Sequence, residues 1–176
     1  ALSKKMSKIS HINYNIQFEP IFSNFTFNGI QIITVTTSPT NIFTLNVAEL
    51  SIKNCYLIHK GKKITPKLTP DVKHETLTIK SSLKISGEIK ICIEFTGELN
   101  DRLLGFYRSK YKDTSGKTKY IATTQFEAAD ARRAFPCWDE PAVKATFDVS
   151  LLVDKKLTAI SNMPEKHKKN YGLKTL

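Results

Sequence analysis

Strict alternation of apolar and polar residues is the feature that most limits what this chain can fold into. In His11-Ile12-Asn13-Tyr14-Asn15-Ile16-Gln17-Phe18-Glu19 every even position is apolar and every odd position polar. Side chains of an extended strand point alternately to opposite faces, so this segment is a strand with one face buried. Pro20, which has no N–H to give to a ladder, marks its expected end. Phe25 and Phe27 open a second strand; the apolar phase then slips at Gly29 to Ile30 and Ile32, as at a bulge, and Ser38-Pro39 closes it. Leu45 and Val47 lead into Ile52, Tyr56 and Ile58; Leu77 and Ile79 alternate with Thr76, Thr78 and Lys80. The cleanest amphipathic strand is Ile89, Ile91, Ile93 and Phe95, preceded by an expected turn at Ser86-Gly87. Phe147, Val149 and Leu151 alternate with Asp148 and Ser150, and residues 157–160 are expected to add one more strand.

No stretch keeps a 3.6-residue period over a dozen residues. The best helix candidate, Ala128 to Arg133, is short, stops before Pro136, and needs packing to hold it. Many short strands with Gly, Pro and Asn between them give an all-β fold: a saddle-like multi-stranded sheet or sandwich with at most one short helix. A length of 176 residues is that of one domain. Residues 1–8 are set aside as disordered or extraneous to the fold, leaving residues 9–176 as the domain. The positive start has no apolar core after it and does not read as a signal peptide, and no apolar run approaches ~20 residues. No membrane partner is expected.

The net charge of +11 raises the question of a nucleic-acid partner. The lysines are scattered, with loose clusters only at Lys4, Lys5, Lys8 and at Lys166, Lys168, Lys169, and no binding motif accompanies them. No nucleic acid is expected; the basic excess reads as a solvated lysine-rich surface. Cys55, Cys92 and Cys137 are odd in number, widely spaced and without a CxxC pair, which suits reduced cysteines in a cytoplasmic protein. Asn24-Phe25-Thr26 matches a glycosylation triplet too short to carry weight.

The segment from residue 98 to 147 differs in character, with charges set among aromatics around Trp138, the only tryptophan. An ion-pair network or a ligand site is expected there. Gly105 to Tyr111 reads "GFYRSKY"; after a lysine-rich hairpin turning at Ser115-Gly116 comes "TTQFEAADARRAFPCWDEPAVKATF", and Ile160 to Pro164 reads "ISNMP". These runs resemble the signature of aminopeptidase N-like zinc metallopeptidases of the puromycin-sensitive type. The resemblance is strong over residues 97–164, while residues 9–96 agree with that family only in strand pattern.

The resemblance implies that the chain is the amino-terminal β-domain of a zinc aminopeptidase that removes N-terminal residues from peptides, facing a catalytic domain of the same parent chain. It further implies that Glu127 binds the free α-ammonium of the substrate, that Gln125 lines the pocket for the first side chain, and that the Glu127–Ala128 peptide is cis. In an extended strand end residues 125 and 127 share a face, with Phe126 on the other. A carboxylate offers only acceptors and an ammonium only donors, and charge-assisted bonds between them are strong. The competing role for Glu127 is a salt bridge to Arg132 or Arg133. Arg132, Asp139 and Glu140 are expected to fix the loop through paired charges, and Cys137 to be a buried thiol.

The family's zinc ligands, two histidines one helical turn apart with a glutamate between, are not in this sequence. His74-Glu75 begins that pattern, but Thr78 stands where the second histidine belongs, and the surrounding alternation is a strand. Zinc is thus expected in the full-length parent, with no cofactor in this chain, which alone would be inactive. Residues 165–176 are expected to form an unfinished hairpin of a domain cut before its last strands. The alternative is a noncatalytic β-domain that binds peptide or protein.

Overall fold

The computed structural model describes residues 9–172 and 174–175; residues 1–8 lie outside the described residues. Strands β1 (Ile9–Ile21), β2 (Thr26–Asn46), β3 (Ser51–His59), β4 (Lys62–Ile64), β5 (Lys67–Asp71) and β6 (Thr76–Glu98) follow one another. A hairpin, β7 (Gly105–Lys112) and β8 (Thr118–Gln125), precedes a 3-10 turn, Ala131–Arg133. The chain then adds β9 (Ala145–Leu151), β10 (Val153–Asp154), β11 (Asn170–Tyr171) and β12 (Lys174–Thr175). The main sheet runs β4-β3-β6-β2-β1-β9, with β5 on a separate stretch of β6. All of its pairs are antiparallel except β1 with β9. The fold is all-β, as the alternation requires.

Two very long strands shape the sheet. β2 and β6 pair from Thr26–Glu98 to Asn46–Thr76, with register shifts between Thr37 and Ile42. Pro39 therefore does not close the second strand; it sits in a bulge, where a missing N–H and an extra bend are tolerated. Likewise Ser86-Gly87 is no turn but part of β6, with Gly87 opposite Thr37 at φ 83°. β1 runs through Pro20 to Ile21, because Pro20 lies beyond the last β9 pair, Phe18 with Leu151. Residues 157–160 form no strand; β10 ends at Asp154, and the hairpin β11–β12 pairs with it instead.

The expected phase slip at Gly29 does not occur, since both ladders beside it are continuous. Phe27, Gly29, Gln31, Ile33 and Val35 all face the core, whereas Ile30 and Ile32 are 51% and 37% exposed on the other face. Two long-range contacts explain the disguise. Gly29 faces Phe95 across the ladder, and a Cβ there would lie 2.2 Å from the ring. Gln31, fully buried, donates from Nε2 to the carbonyl of Pro136 at 2.8 Å.

The core is aromatic where the β7–β8 hairpin and the segment after it cover the sheet. Phe18 lies 5.5 Å from Phe106 of β7 and 6.3 Å from Phe135, and Phe135 in turn meets Tyr14 and Phe126, each at 5.8 Å. Edge-to-face rings of this kind add about 0.5–1.5 kcal/mol per pair beyond burial. They tie the β7–β8 hairpin and the segment after it to the core face of the sheet. Among the described residues no helix is long and apolar enough to cross a membrane.

Gly29→Ala should lower stability to urea by about 1–3 kcal/mol, because the ring of Phe95 has no room to yield. Phe95→Leu should then cost less in the Gly29→Ala background than alone; strictly additive costs would show that the two do not share one packing constraint.

Candidate functional site

The segment after β8 has little regular structure, so its shape is set by what holds it. Its backbone is bonded to the end of β2: Asn46 N–H donates to Cys137 O at 2.6 Å, and Cys137 N–H returns to Asn46 O at 3.1 Å. Ala48 N–H donates to Arg132 O, Asp139 N–H to the Asn46 side chain, and Trp138 N–H to the Tyr14 hydroxyl. Burial raises the Tyr14 phenol well above its ordinary pKa, so it remains protonated. Cys137 is 4% exposed, and burial raises its thiol in the same way, which makes it a packing residue rather than a nucleophile.

Charge completes the fastening. Arg132 bonds through Nε to Asp139 Oδ2 at 2.9 Å and through Nη1 to Glu75 Oε2 at 3.1 Å. Arg133 bonds through Nε to Asp130 at 2.9 Å, through Nη2 to Glu75 at 3.1 Å and through Nη1 to Glu49 at 2.6 Å. Glu49 also holds Arg102. Arg132 and Asp139 thus pair as expected, while Glu140 has no salt-bridge partner among the described residues. Glu49 and Glu75 escape the sequence reading because they lie far away in sequence, in the links β2–β3 and β5–β6, each at a positive φ of 58° and 50°. His74 and Glu75 are in a turn rather than a strand, and His74 Nδ1 faces Asp71 at 2.7 Å. Among the described residues no three His, Cys, Asp or Glu side chains converge as a metal site would require.

Gln125 is the last residue of β8, opposite Gly105 of β7, and its Nε2 approaches Glu127 O at 3.5 Å. Phe126 is partly buried and packs on Phe135, while Gln125 and Glu127 on either side of it are exposed. The peptide bond Glu127–Ala128 is cis. Asp130 N–H donates to Phe126 O at 2.9 Å and closes the turn that displays Glu127. Both arginines are committed to other carboxylates, and Glu127 has no salt bridge among the described residues. An exposed carboxylate and an exposed amide, displayed on a firmly held turn, can accept hydrogen bonds from an incoming cationic donor.

Comparisons with known proteins identify the family. The family model described as "Peptidase M1 N-terminal domain" matches residues 10–175. Over 163 residues, 91% of the chain, it is 43% identical to "Aminopeptidase 2" of Candida albicans. It is 42% identical over 155 residues, 86% of the chain, to "Puromycin-sensitive aminopeptidase" of Caenorhabditis elegans. Identity to "Aminopeptidase M1-B" of Oryza sativa is 40% over 159 residues, 88% of the chain. The matched parts are only 17%, 16% and 18% of those three relatives, so the chain spans about a sixth of their length.

The Arg102 and Arg133 partners hold the Glu49 carboxyl below its ordinary value of 4.5, the hydrogen bond from Arg102 being the largest cause. A depressed carboxylate pKa adds stability above the unfolded-state value and loses it as pH falls through the folded-state value. Glu49→Gln should therefore reduce stability near neutral pH and weaken the acid dependence of unfolding between about pH 5 and pH 2. Parallel thermal melts of the two proteins across that range check this; an unchanged acid slope would exclude the linkage.

Proposed function

We propose, for a chain that belongs to the peptidase M1 N-terminal domain family, that it is the substrate-recognition domain of a zinc aminopeptidase that removes N-terminal residues from peptides. In this reading the Glu127 carboxylate accepts the free α-ammonium of the peptide, and Gln125 lines the space for the first side chain. The observation that supports it best is that Glu127 stands exposed and without a salt bridge among the described residues, while the two arginines of the same segment, Arg132 and Arg133, are bonded to other carboxylates. A carboxylate placed to fix its own loop would be expected to take one of them. An ammonium bound at Glu127 registers the peptide from its end, which is what removal of single N-terminal residues demands.

The donor groups of the described residues do not fit a zinc site, since no suitable cluster exists and His74 is turned to Asp71. The zinc of this proposal would be held by residues outside this chain, in the catalytic part of the parent, which is also the proposed partner. A cytoplasmic setting belongs to the same proposal, on the ground that Cys55, Cys92 and Cys137 are all free, buried thiols.

In the full-length parent, Glu127→Gln should lower kcat/KM on an aminoacyl 4-nitroanilide roughly 10- to 150-fold, the range of one lost charge-assisted bond. N-acetylated substrates, which carry no ammonium, should lose their disadvantage relative to free-amine substrates. Unchanged kcat/KM in Glu127→Gln would remove the recognition role and leave a domain with other duties.

A further inference from the structure

Arg133 stands at the junction of the two pieces that display Gln125 and Glu127. Its guanidinium uses three separate nitrogens on three carboxylates: Nε on Asp130 at 2.9 Å, Nη1 on Glu49 at 2.6 Å and Nη2 on Glu75 at 3.1 Å. Asp130 is the residue whose N–H closes the turn containing Glu127, and Arg133 N–H donates in turn to Asp130 O at 3.1 Å. On its other side the Arg133 stem lies against Gly105, the residue opposite Gln125, so closely that a Cβ on Gly105 would be 2.7 Å from Arg133 Cβ. Gly105 has a positive φ of 66° as well, so two constraints exclude a side chain there. Arg132, its neighbour, has a different reach. It bonds Asp139 and Glu75 and makes no side-chain bond to residues 126–130 among the described residues.

From this division we infer that Arg133 is a positioning residue for substrate recognition: it sets the place of Glu127 through Asp130 and of Gln125 through Gly105. The inference rests on the reading of Glu127 as the ammonium acceptor. Charge alone does not meet the requirement. Three carboxylates around one planar fork need N–H bonds in three fixed directions, which a lysine ammonium on a flexible stem does not supply. Glu49 and Glu75 anchor the fork to the links β2–β3 and β5–β6, so the turn takes its position from the main sheet rather than from its own short segment.

The test uses the full-length parent enzyme and an aminoacyl 4-nitroanilide. Arg133→Lys should raise KM, with kcat/KM falling about 10- to 100-fold, the scale of a recognition group displaced by about 1 Å. Asp130→Asn, which loosens only the tie to the turn and leaves Glu49 and Glu75 on Arg133, should change KM in the same direction. Arg132→Lys should leave KM unchanged, because a merely structural loss reduces the amount of active enzyme and hence apparent kcat. In a Glu127→Gln background, Arg133→Lys should add less than about twofold, since two changes acting through one contact are not additive. A KM unmoved in both Arg133→Lys and Asp130→Asn overturns the inference. So does an Arg133→Lys effect that keeps its full size in the Glu127→Gln background, although the recognition reading then stands. If Glu127→Gln itself leaves KM and kcat/KM unchanged, the reading of Glu127 fails and takes this inference with it.

Discussion

Two adjacent guanidinium groups must be kept paired where the loop meets the sheet, and most of the local architecture answers that demand. Arg132 and Arg133 have side chains only 15% and 19% exposed, and a charge so far out of water is expensive unless every donor finds an acceptor. The acceptors come from three directions: Asp139 and Asp130 from the loop itself, Glu75 from the β5–β6 turn, and Glu49 from the β2–β3 link. Glu75 bonds Arg132 through Oε2 and Arg133 through Oε1, so one turn of the sheet serves both arginines of the loop. The folded segment is in this sense overdetermined, with an aromatic underside through Phe126 and Phe135 and a charged rim above it.

The two kinds of cation divide the work. Each of the four arginines, Arg102, Arg108, Arg132 and Arg133, forms salt bridges, and Arg108 also lies 4.5 Å over the Phe25 ring and donates to Leu99 O. Among the described residues Lys174, bonded to Glu19, is the one lysine in a salt bridge. The planar fork serves where direction matters, and the hydrated ammonium covers the remaining surface. The net charge of +11 is consequently mostly a property of lysines rather than of the salt-bridged arginines.

How much of this was legible in the sequence depended on whether a residue's reason for being there was local. Ile89, Ile91, Ile93 and Phe95 face the core as their alternation demands, because a period of two is dictated by the strand's own geometry. Gly29 and Gln31 face the core as well, yet they look like a break in phase. Their roles concern partners far away: room for Phe95 and a bond to Pro136, across 66 and 105 positions. With those two inward positions lacking apolar character, the outward Ile30 and Ile32 imitated the buried stripe. Glu49 and Glu75 were hidden for the same cause, since nothing in their immediate neighbourhood announces an arginine that arrives at residues 132 and 133. Gln125 and Glu127 were singled out through a resemblance spanning a long motif, not through local periodicity, and the structure adds that Glu127 is bonded to neither arginine.

Stability alone does not account for a network of this composition. Replacing a buried ion pair by well-packed apolar side chains is often neutral or even stabilising by about 1–4 kcal/mol. An apolar seal, moreover, was within reach of the fold, because Phe135 and Trp138 already cover the sheet beneath the loop. What an apolar contact lacks is direction: it tolerates sliding by fractions of an ångström, whereas a fork bonded to three carboxylates has one orientation. On the proposed reading of Glu127 as an ammonium acceptor, the turn that displays it needs that orientation more than it needs extra stability. On that reading, the expense of desolvating the Arg133 guanidinium is better understood as the cost of fixing Glu127 in one place than as a contribution to holding the domain together.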